Sequence, residues 1–133
     1  MKDGDDLSIV SDDETLARFI MQRNHVRADN TIKPNAFIPY PWPNLSVTRH
    51  IGLTEHELWE IGQEVADARP ATLYGRADVQ ALGITTQSLK IIPTATPRNH
   101  ANITGWPPDK PSQKIIAQEL AAVATFVSIP GTN

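Results

Sequence analysis

Pro34, Pro39, Pro41 and Pro43 fall inside the stretch IKPNAFIPYPWPNLSVTRH, which runs from Ile32 to His50. A proline ring fixes φ and removes a backbone donor, so this stretch is barred from regular helix and from most sheet ladders as far as Asn44. It is expected to run extended and close to polyproline II. Phe37, Tyr40 and Trp42 ride on it. Phe37 is expected to turn inward and cover a sheet, and Tyr40 or Trp42 to face outward.

The rest of the chain is arranged around that strap. LSVTRH alternates, with Leu45, Val47 and Arg49 on one face and Ser46, Thr48 and His50 on the other, which predicts a strand. LTEHELWEIGQEVADA carries Thr54 at an N-cap with Glu57 three residues on. Leu53 and Leu58 are placed to staple its entry, and Leu58, Ile61 and Val65 form one stripe. A helix over Glu55 to Ala68 follows, ended by Pro70.

SDDETLARFIMQR shows the same capping pattern in Ser11 and Glu14, with Leu16, Phe19 and Ile20 at helical spacing, and predicts a first helix from Asp12 to Arg23. Further on, TLYG reads as a short strand and RADVQALG as a short helix closed by Gly83. ITTQSLKIIPTA reads as a strand to Pro93, and HANITGW as another. In the last helix Pro111 stands in the first turn, and Ile116, Leu120, Val123 and Val127 share a face. The sum is an α+β fold: a small mixed or antiparallel sheet packed by about three helices in a single layer pair, as one domain over residues 11–129.

At 133 residues and 14.6 kDa the chain can bury one core without staples. There is no cysteine, which removes disulfides, thiol nucleophiles and thiolate zinc sites. Six of the first fourteen residues are acidic, so residues 1–10 read as a flexible acidic tail. The twelve Lys and Arg are scattered, and the net charge is -3; nucleic acid is not the expected partner. No apolar run approaches the roughly 20 residues of a membrane span, and no basic and apolar leader opens the chain. A cytoplasmic protein with no membrane contact is expected.

No cofactor or metal motif is present. His-Glu-x-x-His, a P-loop and a nucleophile elbow are all missing. His56 lies between glutamates at a helix start and reads as a surface residue, and His25 as a residue ending the first helix. His50 and His100 stand at strand boundaries beside Arg49 and Arg98. With Arg18 and Arg76 they are the candidate catalytic or phosphate-binding set, since imidazole titrates near neutrality and guanidinium binds oxyanions. The triplets HIG and HAN lack the hydroxyl residue that two-histidine phosphoesterases require. Tyr40, Trp42 and Trp106 are the candidate partner-binding residues, because rigid aromatics lose little entropy when held.

Read together, SDDETLARFI, KPNAFIPYPWPNLSVTRH and NHANITGWP resemble a loosely defined group of small uncharacterised bacterial proteins. These share Asp-Asp-Glu-Thr-Leu-x-Arg, then Ala-Phe-x-Pro and Leu-Ser-Val, and later His-Ala-x-Ile. Asp12 to Leu16, Arg18, Ala36, Phe37, Pro39, Leu45 to Val47, His100, Ala101 and Ile103 carry the match, and the helix after Leu53 does not. The resemblance implies one bacterial domain and gives weight to Arg18, Ser46 and His100.

Three functional expectations follow. The first is an accessory protein making protein–protein contacts through its proline and aromatic segment. The second is an enzyme or nucleotide-binding domain with His50, His100, Arg18, Arg49 and Arg76 around one pocket. The third is an antitoxin or immunity protein, suited by the acidic bias and by Glu55, Glu57, Glu60 and Glu64 on one helix.

Overall fold

The first regular element is a strand, where capping residues and helical spacing had predicted a helix from Asp12 to Arg23. Ser11 does not cap anything: its hydroxyl donates to Asp13 at 2.8 Å, and Glu14 N–H closes a turn on the Ser11 carbonyl at 3.1 Å. Strand β1 then runs Thr15–Ile20. Leu16 and Ile20, four residues apart, share a face in a helix and in a strand alike, so their spacing does not discriminate. Pairing partners decide. β1 is flanked by β2 (Leu45–Arg49) and β3 (Gly75–Gln80), and it lies inside a six-stranded sheet.

The computed structural model describes residues 8–94 and 96–131; most of the expected acidic tail therefore lies outside the described residues. The sheet is antiparallel throughout, in the order β4-β5-β2-β1-β3-β6, with β4 at Lys90–Pro93, β5 at His100–Thr104 and β6 at Thr125–Ser128. The α+β class is as expected, in its antiparallel form.

The helices do not form one layer. Helix α1 (Glu55–Ala68) carries the chain from β2 to β3 over one face, where the close approach of Gly62 to the Phe19 ring seats it. Its capping box is the expected one, with Glu57 N–H on the Thr54 hydroxyl at 3.1 Å and Thr54 N–H on the Glu57 carboxylate at 2.8 Å. Helix α3 (Lys110–Val123) carries the chain from β5 to β6 over the other face. There Ala117, Leu120 and Ala121 join Leu16, Ile20, Leu45, Val47, Val79 and Ile103 in the main core. The five-residue α2 (Ala81–Thr85) fills the same side through Ala81 and Ile84.

Other elements shift for local reasons. In GRADVQ the buried Gly75, Ala77 and Val79 alternate, so this is β3 and the helical turn starts only at Ala81. Thr72–Tyr74 precedes the strand instead of forming one. Ile84–Leu89 finishes α2 and turns through Ser88 at φ 64°, which leaves β4 only four residues. Val127 is not on the last helix: α3 stops at Val123, and the β-branched Thr125 and Val127 belong to β6, paired to β3.

The strap also departs from a continuous extended run. Pro34 begins a 3₁₀ turn, Pro34–Phe37. One proline at the start of a helical turn is harmless, so the exclusion only holds from Pro39 onward. This turn delivers Phe37 into the core with no exposure, packed below α3.

Strands β1 and β2 pair only at Leu16↔Arg49 and Ala17↔Thr48, and then diverge. β1 continues along β3 to Ile20, while β2 continues along β5 back to Leu45. The sheet is therefore forked between its two central strands, and Arg18 stands in the fork. Its Nε donates to the Ala36 carbonyl at 2.9 Å and its Nη1 to the Ser46 carbonyl at 3.0 Å. The guanidinium takes up the Ser46 carbonyl on the edge of β2 that faces the fork.

Candidate functional site

The proline strap forms one wall of a groove. Tyr40 is 51% and Trp42 71% exposed, whereas Phe37 is fully buried. Opposite them stand Trp106, Pro107 and Pro108 from the joint between β5 and α3, and the space between is about 440 Å³. The Trp106 indole is fixed by its Nε1–H on the Ile103 carbonyl at 3.0 Å. The three aromatics singled out in the sequence thus line one groove.

A buried side chain ties the two walls. Gln113, 3% exposed on the first turns of α3, accepts the Tyr40 N–H at 3.0 Å and donates to the Pro107 carbonyl at 2.8 Å. Both bonds replace ladder partners that prolines deny to this backbone. Sequence reasoning missed Gln113. A lone polar residue at a core position of an amphipathic helix was the available signal.

Where the strap meets the fork, a second cavity of about 570 Å³ opens, lined by Arg18, His25, Arg69 and Lys110 together with Tyr40 and Trp42. Among its lining residues there is no Asp or Glu. Burial and the neighbouring charge of Arg69 pull the Arg18 pKa down to about 10. Burial, then the charges of Arg18 and Lys33, lower that of His25. On the other side of the fork a smaller cavity of about 260 Å³ is lined by Arg18, Ser46, Arg69 and His100. The three residues weighted by the bacterial resemblance, Arg18, Ser46 and His100, meet here. His100 Nδ1 lies 2.6 Å from the Thr94 hydroxyl, and burial lowers its pKa.

The remaining candidates are elsewhere. Arg49 is buried on the α3 side and is held by both carboxylate oxygens of Glu14 and by the Ile9 carbonyl. His50 Nε2 lies 3.0 Å from Asp78 on the α1 side. Asp78 also accepts from Arg76 at 2.9 Å, Arg76 donates to Glu55 at 2.8 Å, and the Arg76 guanidinium stacks 4.7 Å from the Trp59 ring centroid. Burial works against the Arg76 charge, but hydrogen bonds to Glu55 and Asp78 outweigh it and raise its pKa. Glu55 is held low, first by its bond to Arg76. The five-residue set expected around one pocket is accordingly divided. Arg18 and His100 share a cavity, His50 and Arg76 belong to a cluster that seats α1, and Arg49 is a core ion pair.

The acidic helix face is smaller than its composition suggests. Glu55 holds Arg76, Glu57 caps its own helix and reaches Arg98 at 3.4 Å, and Glu60 lies 3.3 Å from His56. Among the described residues no group of three or more His, Asp or Glu side chains converges on a metal position, and no helix is long and apolar enough to cross a membrane. Comparison of the chain with family models, with curated proteins and with solved structures finds no match.

Proposed function

We propose that this chain is a binding module which holds an extended, acidic segment of a protein partner in the groove between Tyr40, Trp42 and Trp106. The observation that carries the reading is Trp42, a large aromatic left 71% exposed on backbone that prolines and Gln113 hold rigid. A preformed aromatic wall contributes contact area at low entropic cost. Arg18, Arg69 and Lys110 at the strap's inner end, with no carboxylate among the lining residues, favour an acidic occupant. An accessory role in a bacterial system fits the resemblance of the sequence motifs.

The test is affinity capture from a bacterial lysate by wild-type protein, Trp42→Ala and Ile115→Ser, the last altering another large exposed apolar residue, on α3. The reading expects a partner retained by wild type and Ile115→Ser, lost with Trp42→Ala, and released as salt rises. An identical set recovered by all three overturns it.

A further inference from the structure

The cavity at the strap's inner end, whose charge the docking reading uses only to favour an acidic segment, has a more specific chemistry. Arg18, Arg69 and Lys110 all line it, and among the described residues no Asp or Glu does. Like charges brought together without counterions raise the free energy of the fold, and both Arg18 and His25 have lowered pKa values partly because of it. Plugging the fork accounts for Arg18, through its bonds to the carbonyls of Ala36 and Ser46. It does not account for Arg69, whose side chain has no hydrogen bond or ion pair among the described residues.

Arg18 itself is only partly used. Nε and Nη1 are bonded, and among the described residues Nη2 has no partner. Since no buried side-chain nitrogen or oxygen lacks a partner among the described residues, Nη2 keeps access to solvent, at a residue that lines the cavities on both sides of the fork. A guanidinium fixed by two carbonyls, with one nitrogen open to solvent and a second guanidinium lining the same cavity, is a preorganised oxyanion receptor. A carboxylate brings one negative charge, whereas a phosphomonoester brings roughly −1.5 to −2 and three acceptor oxygens, a better match to two guanidiniums and an ammonium. The volume of about 570 Å³ exceeds what one phosphate fills and lies in the range of small-ligand sites. The rings of Tyr40 and Trp42 line the remainder and offer flat surface for stacking.

We propose that this cavity is a binding site for a small phosphomonoester carrying a planar ring, with Arg18, Arg69 and Lys110 on the phosphate and Tyr40 and Trp42 against the ring. The site shares Tyr40, Trp42 and the three cations with the docking groove; the two readings are told apart because AMP binding is read on the purified protein alone and partner docking by capture from a lysate.

Titration calorimetry at low salt with AMP, adenosine and inorganic phosphate tests it. AMP is expected to bind at concentrations up to about 1 mM, with adenosine at least about tenfold weaker, and binding is expected to weaken as salt rises. Arg69→Ala, an exposed position just after α1, is expected to weaken AMP about tenfold or more with an unchanged melting temperature. Arg18→Lys keeps the charge but not the fork and is expected to weaken AMP as well; its melting curve separates loss of binding from loss of fold. No binding of AMP at about 1 mM, adenosine binding as tightly as AMP, or an Arg69→Ala variant with wild-type affinity overturns the proposal.

Discussion

The side-chain carbonyl of Gln113 accepts the backbone N–H of Tyr40 at 3.0 Å across a sequence separation of 73 residues. The same amide donates to Pro107 at 2.8 Å. One buried residue therefore sets the width of the aromatic groove. Gln113→Met keeps the volume and removes both bonds, which strands the Tyr40 N–H and the Pro107 carbonyl. A loss of about 1–3 kcal/mol is expected. Chemical denaturation measures it, and faster amide exchange at Tyr40 than in wild type marks release of the strap.

Glu14 and Arg49 form an ion pair with both side chains about 4% exposed. Removing one partner leaves an uncompensated buried charge, so Glu14→Gln or Arg49→Met alone is expected to cost about 3–5 kcal/mol. The double variant Glu14→Leu with Arg49→Met is expected to recover a large part of that. A double variant no more stable than the weaker single one would show that the pair contributes through some other contact.

Phe37 and Trp42 lie five residues apart on one strap and are expected to separate cleanly. Phe37 is fully buried, and Phe37→Ala should cost about 3–5 kcal/mol. Trp42→Ala should stay within about 0.5 kcal/mol of wild type. Equal losses at the two sites would mean that Trp42 also packs in solution.

Stability is expected to fall with pH in two stages. Burial lowers the pKa of His25 and of His100 from 6.5, so the folded state binds fewer protons than the unfolded chain. Their neutral forms contribute stability above 6.5, and that contribution is lost as pH falls through the folded values. Glu55 is lowered from 4.5, first by its bond to Arg76. Its contribution is present above 4.5 and is lost below it, at about 0.5 kcal/mol after solvent screening. Melting temperatures between pH 7.5 and 5.5 should fall less for His25→Asn combined with His100→Asn than for wild type. Glu55→Gln should differ from wild type at pH 7 and converge with it at pH 3.

Local signals were legible wherever one period or one cap had no competitor. The capping box of Thr54 and Glu57, the alternation of Leu45 to Arg49 and the strand from His100 all form as their residues dictate. The misreadings have a common cause. Leu16 and Ile20 fit a helix and a strand equally, and Ala77 and Val79 sit in a segment too short to establish a period. In both places the neighbouring strands, invisible in sequence, determine the outcome.

The site divides in the same way. The outward aromatics could be read from the prolines, because a fixed φ and missing donors keep that backbone out of the sheet. The grouping of charges could not. Arg18, Arg69 and Lys110 are far apart along the chain, and only the early divergence of β1 from β2 brings them to one cavity, while Arg49 and Arg76 find carboxylates.

By itself, then, the sequence determined the rigid strap, the capped helix and the α+β class, since each rests on φ restriction, local hydrogen bonds or short-range periodicity. The tertiary structure decided which strand lies at the centre, which cations are neutralised and which stay open in the fork. Those outcomes depend on pairings between residues distant in sequence, and a linear pattern does not contain that distance.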